Sequence, residues 1–383
     1  MGSMSVRILV GDCRQTLATL PDGSVQTCVT SPPYFGLRDY GTATWEGGDV
    51  ACDHKTGKSA RNDGARIGVD GFGGNRNVDG HADMGALYFA VACAKCGARR
   101  VDSQIGLEQT PDAYVAELVA VFREVRRVLR DDGTLWLNLG DSYAGGNTAG
   151  AWREGAARAD GAVRGDGETS RRNRNGNGPV VGLKPKDLIG IPWRVAFALQ
   201  ADGWWLRQDI IWHKPNPMPE SVQDRCTKAH EYIFLLTKRE RYFYDANAIA
   251  EPAIHAGKVV TNDNGKNGQM DEYGQTREGF LRDGGVLVGD TRNKRSVWTV
   301  PSQPFADAHF ATFPPALIEP CILAGSKRGD TVLDPFGGAG TTGLVADRFG
   351  RDAILCELNP GYAAMAEDRI TAEQPLLADV KME

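Results

Sequence analysis

One stretch near the end of the chain constrains the fold more than any other. Thr331-Val332-Leu333 reads as a short apolar strand, Asp334-Pro335-Phe336-Gly337-Gly338-Ala339-Gly340-Thr341-Thr342 as a Gly-rich turn, and Thr341 to Phe349 as a helix. A second strand follows at Ala353-Ile354-Leu355-Cys356, ends at Glu357, and gives way to a helix capped by Asn359. Strand, loop, helix and strand make a crossover unit of a parallel sheet, which needs cover on both faces. The glycines allow close approach of backbone to a ligand, and the helix start offers unpaired N–H groups. Glu357 stands about twenty residues on from the first glycine of the loop, where a carboxylate accepts hydrogen bonds from ribose hydroxyls. No Gly-Lys-Ser/Thr follows, so this is not a nucleoside-triphosphate loop. The string points to an adenosine-type ligand.

The same alternation runs through the rest of the chain. Ile8-Leu9-Val10 is a strand ending at Gly11-Asp12, and Val25 to Thr30 is another. Thr110-Pro111 opens a helix whose apolar face is Val115, Leu118, Phe122, Val125 and Leu129, and Asp131-Asp132-Gly133 is expected to end it. Leu135 to Leu139 is a strand, Pro192 to Ala201 a helix, and Trp205 to Trp212 and Glu231 to Thr237 strands. Strands alternating with helices imply an α/β fold with a largely parallel sheet, whose ligands bind beyond the carboxyl ends of the strands.

Three polar excursions interrupt the pattern: Glu46 to Gly85, with ten Gly in forty residues, Gly145 to Gly178, and His255 to Thr291. None carries enough apolar residues for a core, so each is a functional loop or a solvated, disordered segment. At 383 residues the chain is long for one core, and a decorated domain or two domains are expected. Its 41% hydrophobic and 24% charged residues exclude wholesale disorder. No apolar run is long enough for a membrane span and the start lacks a signal-peptide pattern, so a soluble, cytoplasmic protein is expected. A net charge of −5 gives no global attraction to nucleic acid but leaves room for local basic grooves. Eight Cys are too few for a disulfide scaffold and read as thiols or metal ligands.

A second loop carries chemistry. Thr30-Ser31-Pro32-Pro33-Tyr34 follows a strand. Two prolines stiffen the backbone and remove two N–H donors, so the Pro32 carbonyl sits at a fixed place. With the Ser31 oxygen and the Tyr34 ring it suits an exocyclic amine on a flat base. Two acceptors would localise and aim the delocalised lone pair of that amine, and the ring would stack on the base. The bland alternative is a rigid turn with a surface Tyr.

Taken together, the two loops resemble those of the amino-group DNA methyltransferases, which transfer a methyl group from S-adenosylmethionine to adenine N6 or cytosine N4. The order, Ser31–Tyr34 first and Asp334–Thr342 last, is similar to the β-class permutation of that family. Gly11-Asp12 resembles the segment whose acid contacts the cofactor adenine. His309-Phe310-Ala311-Thr312-Phe313-Pro314 resembles the element beside its methionine end, and Arg207 to Pro215, with the loop to Glu220, the strand and loop near the target base. The likeness covers about Arg7–Tyr40, Leu107–Tyr143, Pro192–Asp245 and Ser296–Glu373.

This resemblance implies a Rossmann-like, mostly parallel seven-stranded sheet in circularly permuted order with Gly-rich insertions. It implies Ser31, Pro32, Pro33 and Tyr34 as catalytic residues. It implies Asp12, Phe310, Thr312, Asp334, Phe336, Gly338, Gly340, Thr341, Thr342 and Glu357 as cofactor-binding. The target base would be flipped out of duplex DNA. Asp is commoner than Ser at the head of the adenine version, which favours cytosine. The extended string to Tyr40 together with a later Cys pair is similar to a subgroup with adenine methylases, and the expectation leans to adenine N6 with cytosine N4 as the alternative. RNA and protein-glutamine methyltransferases share a Pro-Pro-Tyr core but place it after the cofactor loop, and a non-catalytic DNA-binding module would not need both loops intact. A homodimer is implied by the class, and a restriction endonuclease partner is left open.

Two further sets complete the reading. Cys52-Asp53-His54 and Cys93-Ala94-Lys95-Cys96-Gly97 bracket the first excursion, and Cys52, His54, Cys93 and Cys96 could form a closed structural zinc site, with His81 as a substitute for His54. A redox Cys pair and free thiols are the alternatives. Arg171, Arg172 and Arg174 in the second excursion, Lys214, and Arg292, Lys294 and Arg295 at the end of the third are candidate DNA contacts. The expected division is a catalytic domain over 1–45, 97–250 and 292–383, an insertion over 46–96, a basic loop over 144–180 and a target-recognition region over 251–291.

Overall fold

The computed structural model describes residues 5–36, 40, 42–54, 93, 95–108, 110–144, 182–254, 256, 259–260, 286–287, 289–303, 312–373 and 379–383. In chain order the elements are β1 (Ser5–Val10), α1 (Cys13–Ala18), β2 (Val25–Thr30), β3 (Thr44–Glu46), β4 (Arg99–Val101), α2 (Pro111–Val128), β5 (Leu129–Leu139), α3 (Ile191–Ala201), β6 (Trp205–His213) and β7 (His230–Thr237). Five short strands follow: β8 (Glu251–Pro252), β9 (Val259–Val260), β10 (Val286–Leu287), β11 (Thr291–Arg292) and β12 (Val297–Thr299). The chain ends with α4 (Pro315–Gly325), β13 (Thr331–Asp334), α5 (Thr341–Arg348), β14 (Asp352–Glu357), α6 (Pro360–Glu373) and β15 (Asp379–Met382).

The main sheet runs β12-β6-β7-β5-β2-β13-β14-β1-β15. β7 is antiparallel to β5 and β6, and every other pair is parallel. The expected seven strands are the inner ones; β12 and β15 add an edge at each side. These edge strands have three and four residues and no readable periodicity. Only their partners define them, as in the register Ser5↔Asp379 to Ile8↔Met382.

The strands and helices read from the pattern form, with one boundary changed, and beside them stand α1 and the short strands β3, β4 and β8 to β11, which no periodicity marked. Thr110 caps α2 by accepting from the Ala113 N–H at 3.1 Å, and Tyr114, Leu118, Val121, Phe122, Val125 and Val128 are its buried face. Asp131-Asp132-Gly133, however, does not separate helix from strand. Leu129 is already extended and β5 continues through all three residues, paired with β2 across a register shift between Val25 and Thr27. The six-residue α1, capped by Asp12, was too short to be read from periodicity.

The helices cover both faces. Leu17 of α1, Leu118 and Phe122 of α2 and Val195 and Leu199 of α3 pack with Leu137 and Phe234 on one side. Leu317, Ile318 and Ile322 of α4, Leu344 and Val345 of α5 and Ile370 of α6 pack with Trp136 and Leu355 on the other. Every residue of central strand β2 is buried, as a strand covered on both faces requires. The order reverses between β2 and β13, which places a crevice at their carboxyl ends. Among the described residues, no helix is long and apolar enough to cross a membrane.

Candidate active site

That crevice is a cleft of about 450 Å³ at the carboxyl ends of β1, β2, β13 and β14. Of the residues expected at the cofactor, Asp12, Thr312, Asp334, Phe336, Gly338, Thr341 and Glu357 line it. The four residues Ser31 to Tyr34 line the same cleft, so one cavity joins the two loops. Phe310 lies outside the described residues.

The Gly-rich loop is organised from below by Asp334. This carboxyl is buried at the end of β13. It accepts from Thr30 Oγ1 at 2.5 Å, Thr342 Oγ1 at 2.7 Å and the Phe336 N–H at 3.0 Å. Burial pushes its pKa up to about 6, against the pull of these three hydrogen bonds. Glu357, at the end of β14, accepts from the Gly338 and Asn359 N–H groups, each at 2.8 Å. Burial raises its pKa as well.

Two expected cofactor residues do not face the cleft. Thr342 is buried and spends its hydroxyl on Asp334 and the Val29 carbonyl. Gly340 has φ +74°, and a Cβ there would lie 2.8 Å from that of Ala366 on α6. They shape the loop rather than its exposed edge. Asp12 lines the cleft, but Arg14 holds both its oxygens, with Nη2 on Oδ2 at 2.6 Å and the N–H on Oδ1 at 2.9 Å.

The Pro-Pro loop is fixed by its surroundings. Pro32 is buried, and the Pro33 carbonyl accepts from Tyr114 Oη of α2 at 2.8 Å. The Gly36 N–H donates to the Gly106 carbonyl at 2.8 Å. Tyr34 Oη lies 2.7 Å from Glu231 Oε2, 3.2 Å from Asn138 Oδ1 and 3.5 Å from Ser31 Oγ. Burial, with the Glu231 carboxylate beside it, holds the phenol well above its ordinary range.

Sequence reasoning missed Glu231 and Asn138. Both line the cleft, Glu231 because β7 is antiparallel and starts where β5 ends. Asn138 Nδ2 donates to the Tyr232 carbonyl at 3.0 Å. The signal was present: a single Asn inside the apolar run Leu135–Leu139, and a Glu heading the run to Thr237.

The candidate DNA contacts divide. Lys214 lies inside the cleft, ion-paired with Glu231, its ammonium 4.1 Å from the Trp212 ring centroid. This position suits a base rather than a phosphate. Arg292, Lys294 and Arg295 gather round Glu251 at 3.5, 4.0 and 3.0 Å, and of the three only Arg295 is mostly exposed. Arg171, Arg172 and Arg174 lie outside the described residues.

Cys52, His54, Cys93 and Cys96 come together. Their ligand atoms all lie within 4.8 Å of one another, with Cys52 Sγ 3.8 Å from Cys93 Sγ and Cys96 Sγ 3.3 Å from His54 Nδ1. Trp45 stacks on the His54 ring at 5.1 Å. His81, the expected substitute, lies outside the described residues.

Known proteins match this architecture. A family profile described as DNA methylase, covering N6 and N4 enzymes, matches residues 25–368. The Type II methyltransferase M.XycI of Xanthomonas campestris pv. cyanopsidis is 42% identical over 365 residues, covering 95% of this chain and 87% of that protein. M.SmaI of Serratia marcescens, also a Type II methyltransferase, is 39% identical over 367 residues, covering 96% and 91%. The solved PvuII DNA methyltransferase, described as cytosine-N4-specific, shares the fold at a TM-score of 0.52 and 16% identity, covering 99% of this chain and 96% of its own. The sheet and its covering helices are thus the Rossmann-like fold of the S-adenosylmethionine-dependent methyltransferases, and the chain belongs to the N6/N4 DNA methylase family.

Proposed function

We propose that the protein transfers a methyl group from S-adenosylmethionine to the exocyclic amine of a base flipped out of duplex DNA, as a Type II modification enzyme. The observation that carries this reading is the single cleft shared by the Ser31–Tyr34 loop and the Asp334–Glu357 unit. The cleft size suits a small cofactor, and it combines an acidic strand end, a Gly-rich backbone and the aromatic rings of Phe336 and Phe313. The Glu357 carboxylate would accept from ribose hydroxyls, and Phe336 and the Gly338 backbone would flank the adenosine.

When bound, S-adenosylmethionine supplies a methyl already activated on a sulfonium. The residues of the chain then need only to aim the amine. The Pro32 carbonyl and Ser31 Oγ would accept from its two protons and localise its lone pair, and Tyr34 would stack on the base. The new C–N bond would form as the C–S bond breaks, with the electrons of that bond passing to sulfur, and the amine would afterwards lose one proton. No strong base is needed before attack.

Between the two bases, the geometry favours cytosine N4 over the adenine N6 expected from the longer sequence string. Along its Watson–Crick edge cytosine presents the amine and then two acceptors, N3 and O2, whereas adenine presents the amine, one acceptor, N1, and a C–H. Ser31 supplies a hydroxyl that donates as well as accepts, and the Lys214 ammonium in the same cleft retains donors beyond the one on Glu231. The extended string Ser31 to Tyr40 supports adenine as the second reading. Nucleoside mass spectrometry of unmethylated DNA treated with protein and S-adenosylmethionine separates them. N4-methylcytosine is the expected product, N6-methyladenine would reverse the base assignment, and the absence of both would overturn the proposal.

The Cys52, His54, Cys93 and Cys96 tetrad is assigned to one structural zinc. Two thiolates at about 2.3 Å from a tetrahedral zinc lie about 3.8 Å apart, which is the separation of the Cys52 and Cys93 sulfurs. Three sulfurs and one ring nitrogen leave no open position, so the metal would take no part in methyl transfer.

A further inference from the structure

The metal tetrad and the wall of the cleft share one piece of chain. β3 and β4 pair antiparallel, from Thr44↔Val101 to Glu46↔Arg99. Two strands of three residues make a ribbon that is marginal without support. The tetrad sits at one end of it, because Cys52 and His54 follow β3 and Cys93 and Cys96 precede β4. The ion pair Lys95–Asp53 also crosses that end, but both side chains are about half exposed, and such a pair contributes little.

The opposite end of the ribbon is cleft wall. Thr42 Oγ1 donates to Asp102 Oδ1 at 3.0 Å, and the Tyr40 N–H donates to Gln104 Oε1 at 2.7 Å. Asp102 also accepts from the Gln104 N–H at 3.1 Å, so the two flanks of the ribbon are tied together there. Tyr40, Thr42, Ser103 and Gln104 all line the cleft, facing the Glu357 end through the ring contact of Tyr40 with Tyr362. Two residues on, Gly106 bonds Gly36 and so reaches the loop that carries Tyr34. A clamp at the tetrad therefore acts on a strap that forms one side of the cleft.

We infer that zinc at Cys52, His54, Cys93 and Cys96 clamps the β3–β4 ribbon and so sets the cofactor affinity of a cleft it does not touch. The inference rests on the assignment of the tetrad to zinc and of the cleft to S-adenosylmethionine. A bound metal offsets the chain entropy lost in bringing together Cys52 and Cys93, about forty positions apart in sequence, since closure cost grows slowly with separation. A ribbon held in place presents Gln104 and Tyr40 ready-made, and a frayed one must be ordered by the ligand, which lowers apparent affinity by the fraction of chains already ordered.

The test uses the full chain. Zinc content is measured by mass spectrometry of the purified protein, and binding of S-adenosylmethionine by calorimetry before chelation, after chelation and after return of Zn(II). Hydrogen exchange over residues 40–46 and 99–106 is followed in parallel, with Cys96→Ser as the covalent counterpart of chelation. The expected result is about one zinc per chain, an affinity about tenfold lower without it and restored by Zn(II), and faster exchange confined to the ribbon. A chain that holds no zinc and takes none up overturns the assignment and the inference together. Equal cofactor affinity with and without bound zinc leaves the metal in place and overturns the clamp. Loss of protection across the whole sheet would make the metal a determinant of the fold and also overturn the clamp. Failure of the zinc-loaded chain to bind S-adenosylmethionine would instead indict the reading of the cleft, and with it the inference.

Discussion

Thr30 Oγ1 donates to Asp334 Oδ1 at 2.5 Å, joining the ends of two adjacent central strands from residues 304 positions apart. The bond lies under both loops: Thr30 precedes Ser31 and Asp334 opens the Gly-rich turn. Asp334 is also the carboxyl whose pKa burial pushes up to about 6, from an ordinary 3.8.

A raised native pKa fixes the sign of a pH effect. The folded chain holds this proton more tightly than the unfolded chain, so the stabilisation is fully present below 3.8 and is lost as pH rises through about 6. A shift of this size corresponds to about 3 kcal/mol. Asp334→Asn cannot ionise, so its stability relative to the native protein is expected to rise by up to that amount between about pH 4 and pH 7. Denaturant unfolding at several pH values measures it, and parallel pH profiles for the two proteins would falsify the assignment.

The Tyr34–Glu231 bond carries the second expectation. Tyr34→Ala removes the stacking ring and is expected to abolish methylation with cofactor binding intact. Tyr34→Phe keeps the ring but leaves Glu231 and Asn138 without the phenol, and a loss of about tenfold in turnover is expected, in line with one hydrogen bond to a charged group. Single-turnover methylation beside cofactor calorimetry separates these effects. Full activity in Tyr34→Ala would remove this loop from catalysis.

Gly140 offers a subtler way to move the same ring. A Cβ at this position would lie 2.5 Å from Tyr34 Cε2, too close for both to stay. Gly140→Ala should therefore push the ring aside while leaving the Gly-rich loop untouched. Misplacement by an ångström at a reacting centre costs about 100-fold in rate. The expected outcome is that loss in turnover with an unchanged S-adenosylmethionine dissociation constant; equal loss in both would point to general unfolding.

Much of this arrangement was legible because apolar periodicity and turn chemistry act locally. The strands and helices from Val25 to Thr30, Pro111 to Val128 and Thr331 to Glu357 follow from such patterns, and both loops sit at strand ends where the glycines and prolines put them. What escaped was set by partners distant in sequence. β15 exists because β1 offers an edge, and Asp131-Asp132-Gly133 lies in an irregular stretch of β5 whose pairing with β2 passes from Val25↔Leu129 to Thr27↔Thr134. Glu231 enters the cleft only because β7 runs antiparallel, a fact of topology. The roles of Gly340 and Thr342 likewise depended on α6 and Asp334, which no local pattern reveals.

Glu357 gives the last expectation, because its carboxylate both builds the loop and faces the cleft. Its oxygens accept from Gly338 and Asn359 at 2.8 Å each, so removing it loosens the turn and takes away the acceptor proposed for a ribose. Hydrogen bonds to charged groups contribute about 1.5–3 kcal/mol, which corresponds to a loss of about 10- to 100-fold in affinity. Glu357→Ala is expected to weaken S-adenosylmethionine binding by that factor while turnover at saturating cofactor stays within about threefold, because uniform binding contributes to affinity rather than to the chemical step. Burial raises the pKa of this carboxyl, so affinity in the native protein should also fall as pH drops through the raised value, since the protonated form accepts less well. Calorimetry across pH on both proteins tests the two statements together: the native protein should lose affinity on acidification, and Glu357→Ala should show a low affinity with a flatter pH profile.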